Sequence, residues 1–118
     1  MRVLCIDDSA TIRKLVTKAL EPTGAEVLQA ENGRTALEMP VSSCDMLIVD
    51  VNMPEMDGFE FVERVRGTPE LADKPILFLT TESSESKQER GRTLSVNGWV
   101  VKPFKPDDLR QVVAALTA

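Results

Sequence analysis

Histidine is absent from this chain, and with it the commonest general base, so Ser-His-Asp and Cys-His catalysis are excluded. Cysteine is scarce. Cys5 and Cys44 lie too far apart for a CxxC redox or zinc motif, and both are expected to be buried thiols. Long apolar runs are missing too: VLCI, MLIV and ILFL are far shorter than the roughly 20 residues of a membrane span. The first run meets Asp7 and Asp8 too soon to be a signal peptide, so a cytoplasmic protein without a membrane partner is expected. Basic charge is in deficit, 14 Lys and Arg against 19 Asp and Glu, and the net charge of −5 argues against a nucleic-acid partner. No low-complexity segment or like-charge run points to disorder, so the chain should fold throughout.

What is present fits one domain spanning 1–118, within the usual range of about 100–150 residues. Short runs rich in Val, Ile and Leu, at 2–6, 25–30, 46–50, 76–80 and 98–101, predict five strands. Several are apolar on both faces, which suits a parallel sheet covered on both sides. Between them, Ile12, Leu15, Val16, Ala19 and Leu20 form a helical stripe behind Ser9 as N-cap, and Leu109, Val112, Val113 and Leu116 form another behind Pro106. Residues 57–67 predict a third helix, with Asp57 and Glu60 spaced as a capping box and Gly67 past its end; NGRTALEM predicts a short second one. The segment 83–98 is assigned to a weakly anchored helix, with Leu94 and Val96 as its apolar contacts and Gly91 in its middle. Strict β-α alternation with short connections implies a doubly wound α/β sheet with helices on both faces.

In such sheets ligands bind beyond the carboxyl ends of the strands. Asp7 and Asp8 follow the first strand, Asp50 ends the third, Thr80 ends the fourth and Lys102 follows the fifth, so residues from the whole sequence can meet at one edge. Singly, each has an ordinary explanation: Asp8 as a turn or helix cap, Lys102 as a solvated surface charge, Thr80 as a strand end. Together they form a site. Crowded carboxylates need counter-charge, and hard oxygen donors without His or Cys select Mg²⁺. A carboxylate nucleophile, a divalent cation, a lysine and a hydroxyl donor make a receptacle for a phosphoryl group, whose transfer needs charge neutralisation and positioning more than acid–base chemistry. Asp50, on the central strand, is the expected nucleophile, and Asp7 with Asp8 the expected metal-holding pair.

The stretches DDS (7–9), VDVNMPEMDG (49–58), TTE (80–82) and GWVVKPF (98–104) resemble response-regulator receiver domains, and among them the single-domain chemotaxis regulators, over essentially the whole chain. The resemblance implies a flavodoxin-like fold with strand order 2-1-3-4-5. It also implies phosphorylation of Asp50 by a CheA-like histidine kinase, with Mg²⁺ on Asp8, Asp50 and the Asn52 carbonyl and Asp7 nearby. Thr80 and Lys102 would contact the phosphoryl group, and Lys102–Pro103 would be cis. Asn52 and Glu82 fall where the family tunes the phosphate's lifetime. The output would be a switch of the face formed by the fourth helix, the fifth strand and the fifth helix toward a protein target such as a flagellar motor switch, in a monomer that is a signalling protein rather than an enzyme. Two departures stand out: Trp99 where Tyr, Phe or His is usual, and Ser95 where a Gly often turns the chain. Trp99 is expected to face away from the phosphate pocket, toward the fourth helix, and to take part in the switch. Alternatives are a phosphate-sink regulator, a receiver cut from a larger protein, and a haloacid-dehalogenase-like phosphatase, which would need an Asp where Asn52 stands.

Overall fold

Side-chain alternation along the apolar runs decides the architecture. In the computed structural model, which describes residues 1–118, the strands are Arg2–Ile6 (β1), Glu26–Ala30 (β2), Met46–Val49 (β3), Ile76–Thr80 (β4) and Gly98–Val101 (β5). They pair in parallel in the order β2-β1-β3-β4-β5. Leu4, Ile6, Leu47, Val49, Ile76 and Phe78 point to one face, under the helices Gly33–Leu37 (α2) and Gly58–Arg66 (α3). Val3, Cys5, Met46, Ile48, Leu77 and Leu79 point to the other, under Ala10–Leu20 (α1) and Pro106–Thr117 (α5). The fourth helix, Glu85–Thr93 (α4), lies on the α2–α3 side, where its Gly91 meets Trp99 and Phe78. This is the doubly wound sandwich expected. No helix is long and apolar enough to cross a membrane.

Local signals explain where most helices begin. Ser9 accepts a hydrogen bond from the Ile12 N–H at 3.3 Å, and Pro106 occupies the first turn of α5, ahead of Asp107 and Asp108. Asp57 caps α3 by accepting from the Glu60 N–H at 2.9 Å; the hydrogen bonds of the structure contain only this arm of the expected box. Both cysteines are buried and free, and burial pushes the Cys5 thiol up to about 12, which keeps it inert.

Three expectations are corrected. Leu15 was placed on the buried stripe of α1, yet it is 48% exposed. It lies one residue before the fully buried Val16, hence about 100° around the helix, on the rim of the stripe. Strands β2 and β3 each lack one residue of the expected span, and short 3₁₀ turns at Glu21–Thr23 and Val41–Ser43 carried no periodic signal.

The third correction concerns α4, which covers 85–93 rather than 83–98. Ser84 caps its start, and Ser95 turns the chain left-handed at φ 58°, a conformation costly for a residue with a Cβ. Arg66 compensates from the end of α3. Its guanidinium donates to the carbonyls of Ala72 (2.8 Å), Lys74 (2.7 Å), Leu94 (3.1 Å) and Ser95 (2.8 Å), and to the Asn97 side chain at 3.3 Å. Carbonyls left over at the end of α4 are thus satisfied by one side chain from a neighbouring helix.

Gly91 turns out to be a packing requirement. A Cβ there would lie 3.0 Å from Trp99 Cζ3 and 3.3 Å from Cε3. Gly91→Ala should gain about 1 kcal/mol of helix propensity. It should lose roughly 1–3 kcal/mol to overpacking against the indole. The expected outcome is net destabilisation of about 1 kcal/mol in urea unfolding, accompanied by a shifted Trp99 emission.

Candidate functional site

The parallel ladder continues one residue past several strands, and this brings the polar residues together. The Asp7 N–H donates to the Ala30 carbonyl at 3.1 Å, the Asp50 N–H to the Ile6 carbonyl at 2.9 Å and the Lys102 N–H to the Thr80 carbonyl at 2.9 Å. Each polar residue is therefore held by backbone bonds to a neighbouring strand. Three polar or charged residues are buried in the whole chain, and they are Asp7, Asp50 and Thr80. Burial of that kind needs compensating partners.

Lys102 provides the first of them. Its ammonium lies 2.7 Å from Asp7 Oδ2 and 3.5 Å from Asp50 Oδ2, with the side chain only 11% exposed. The other Asp7 oxygen accepts from the Ser9 N–H at 2.9 Å. Asp8 is exposed at the mouth of the site, and carboxylate oxygens of Asp7, Asp8 and Asp50 lie within 4.8 Å of one another. Three carboxylates against one ammonium leave two negative charges, which one divalent cation would balance. An all-oxygen donor set, partly open to solvent, fits Mg²⁺ with its retained waters.

Burial pushes the Asp50 carboxyl above its ordinary value. Lys102 opposes the shift, Asp7 adds to it, and hydrogen bonds from the Thr80 side chain and the Asn52 backbone reduce it. Asn52 itself is exposed beside Asp50. The Lys102–Pro103 bond is cis.

A hydrogen-bonded chain leads away from the carboxylates. Thr80 Oγ1 accepts from the Glu82 N–H at 3.2 Å, and the Glu82 carbonyl accepts from Trp99 Nε1 at 2.9 Å. The indole is packed inward, edge-on to Phe78 at 5.2 Å and tilted against Phe59 at 6.4 Å, beneath α4 as its strand parity predicts. One residue, Glu82, thus bridges the Thr80 hydroxyl and Trp99.

Sequence reasoning overlooked two residues here. A Cβ at Gly58 would fall 2.3 Å from the Asp50 carbonyl oxygen, so only glycine lets α3 start this close to the Asp50 peptide. Its signal was the MDG that closes the 49–58 stretch. Arg13 donates from Nη1 to the Asp7 carbonyl at 2.6 Å, and nothing in the helical stripe of α1 marked it.

Comparison with known proteins agrees with this geometry. The sequence model of the family described as "Response regulator receiver domain" matches residues 3–114. The chain is 38% identical over 114 residues to the chemotaxis protein CheY1 of Helicobacter pylori, covering 94% of this chain and 92% of that one. It is 34% identical to the sensor histidine kinase CheAY of the same species, where the match covers 94% of this chain and 14% of the kinase. The structure of the chemotaxis response regulator CheY4 of Vibrio cholerae superposes with a TM-score of 0.90 at 43% identity, covering 98% of this chain and 97% of that one. With identity of this extent on the same fold, the chain belongs to the response regulator receiver domain family.

Proposed function

We propose that Asp50 is the phosphoacceptor of this two-component regulator, served by a CheA-like histidine kinase in a chemotaxis pathway. The observation that carries the reading is the buried Asp50 carboxylate, within 4.8 Å of two further carboxylates and 3.5 Å from the Lys102 ammonium. A carboxylate oxygen of Asp50 attacks phosphorus; the new O–P bond forms as the bond from phosphorus to the donor breaks, and the donor keeps that electron pair. Lys102, released from part of its contact with Asp50, turns its donors to the phosphoryl oxygens, and Thr80 adds a hydroxyl donor. Asp8, Asp50 and the Asn52 carbonyl would hold Mg²⁺, with Asp7 nearby. The bound cation supplies neutralisation of the phosphoryl charge. Asn52 is also why a dehalogenase-like phosphatase is disfavoured, since an amide there cannot act as the general acid that chemistry needs.

The readout proceeds through Trp99. A Thr80 hydroxyl drawn to the phosphoryl group gives up its bond from the Glu82 N–H, loosening the residue whose carbonyl also holds the indole. The β4–α4 connection and the α4-β5-α5 face then change together, and this face carries the output to a downstream protein such as a flagellar motor switch.

Incubation with acetyl phosphate and Mg²⁺ should label the wild type, and the label should survive acid and be released by hydroxylamine. Asp50→Asn or added EDTA should abolish it; full labelling of either would remove Asp50 or the metal from the reaction.

A second outcome follows from the raised Asp50 pKa. The native state holds this proton more tightly than the unfolded chain, so the group's favourable contribution is complete below its unfolded pKa and is lost as pH rises through the folded one. In metal-free solution Asp50→Asn should therefore be more stable than wild type at neutral pH. Thermal unfolding should show the advantage shrinking on acidification and on addition of Mg²⁺ to the wild type.

Trp99 emission should change when wild type receives Mg²⁺ and beryllofluoride, and should stay near its metal-only value in Thr80→Ala. An identical response in both proteins would mean that the indole senses the site without the Thr80–Glu82 connection.

A further inference from the structure

The carboxylate most open to solvent is also the one least held. Asp8 is exposed, and its carboxylate takes part in none of the hydrogen bonds or ion pairs in the structure, whereas Asp7 is held at both oxygens. The aim of Asp8 into the site therefore depends on the backbone that precedes it. That backbone has a weak point, because Asp7 lies past the end of β1 and no backbone N–H reaches its carbonyl.

Arg13 fills this role. Its Nη1 donates to the Asp7 carbonyl at 2.6 Å, while its Nε donates to Gln29 Oε1 on β2 at 3.2 Å. The amide of Gln29 donates in turn to Thr17 Oγ1 at 3.3 Å, and the Thr17 hydroxyl donates to the Arg13 carbonyl at 2.8 Å. The guanidinium is thereby pinned between α1 and β2 while one arm grips the Asp7–Asp8 peptide. A planar fork can make both contacts from one rigid group; a lysine ammonium, a point donor on a flexible stem, cannot reproduce the pair.

We infer that Arg13 is a positioning residue for cation capture: by holding the Asp7 carbonyl it orients the Asp8 carboxylate toward the Mg²⁺ that the proposed function requires. This rests on that reading of the site, and it adds a residue outside the group of side chains facing the cation. Electrostatics gives the opposite expectation. A guanidinium close to the site repels a divalent cation, so removing its charge without disturbing Asp8 should tighten Mg²⁺ binding. The sign of the effect separates positioning from charge.

The test is calorimetric titration of the full chain with MgCl₂, for wild type, Arg13→Ala, Arg13→Lys and Gln29→Leu, together with acetyl phosphate labelling rates at limiting and saturating Mg²⁺. Positioning predicts a dissociation constant about tenfold weaker in Arg13→Ala, as for loss of other supports behind a metal ligand. Arg13→Lys should recover only part of this, and Gln29→Leu, which keeps Arg13 but removes its second anchor, should weaken binding by roughly threefold. At saturating Mg²⁺ the labelling rate of Arg13→Ala should return to within about twofold of wild type, because Asp50, Thr80 and Lys102 are untouched. Unchanged or tighter Mg²⁺ binding in Arg13→Ala, full recovery in Arg13→Lys, or a labelling rate that stays depressed at saturation would each overturn the inference. Gln29→Leu carries the decision if Arg13→Ala does not fold, and wild-type affinity in it would then overturn the assignment. Wild type that takes up no Mg²⁺ would fail the metal reading itself, a result distinct from any of these.

Discussion

The site depends on one ammonium held between two buried carboxylates. Lys102 joins the end of β5 to the ends of β1 and β3, reaching 95 positions back along the chain to Asp7. Burying any of these charges alone would cost several kcal/mol. The arrangement is tolerated because the strand ladder brings the three groups together and because Asp8, exposed and unpaired, leaves the cluster open to water on one side. The pairing is also incomplete. Lys102 sits closer to Asp7 than to Asp50, so Asp50 is the less firmly neutralised of the two, and its carboxyl is pushed up by burial. A more stable arrangement, with the ammonium fully engaged on Asp50, would, on the proposed reading of Asp50 as phosphoacceptor, leave it a poorer nucleophile and Lys102 less free to meet phosphoryl oxygens.

The same sheet that converges these groups separates two tasks. One face, under α1 and α5, is filled by aliphatic side chains with Phe104 at its margin. The opposite face carries the aromatic contacts: Phe59, Phe78 and Trp99 form one cluster beneath α4. Thr80 follows Phe78 at the spacing of two that returns a side chain to the same face, so the hydroxyl at the site and the aromatic cluster share one side of β4. Chemistry at the strand ends and packing under α4 are therefore adjacent through ordinary strand geometry.

Much of this was legible in sequence because it rests on local periodicity. An apolar run that stops at a polar residue marks both a strand and its end, and for that reason Asp7, Asp50, Thr80 and Lys102 could be assigned to one edge before any contact was known. What escaped depends on partners distant in sequence. Leu15 satisfies the helical period, yet only the position of α1 against the sheet decides whether the rim of its stripe is covered. Arg66 has the composition of a surface charge and instead satisfies carbonyls in two loops, and the segment 94–98 looked helical because nothing local announced that capture. Gly91 stood in sequence only as a glycine in the middle of a weakly anchored segment, since the indole packed against it lies eight residues on and on another element.

The weak anchoring of α4 has a physical basis in these contacts. Gly91 is its one buried residue, and it presents Lys87 and Arg90 to the Phe59 ring, at 5.7 Å and 4.4 Å from the centroid, in place of apolar side chains. Arg90 also pairs with Glu63 on α3 at 3.3 Å, across an exposed surface where such pairs contribute little, about 0–1 kcal/mol. Cation–π contacts at partly exposed positions are comparably small, about 0.5–1 kcal/mol each. A helix attached by several weak contacts at its middle, but clamped by Arg66 at its end, can shift its first turns without losing a hydrophobic core. Its start is the end joined through Glu82 to Thr80 and Trp99. The start of α4 and the Thr80 end of β4 are thus joined by the same short piece of chain, so the hydroxyl at the site, the indole and the first turn of the helix all share contacts with Glu82.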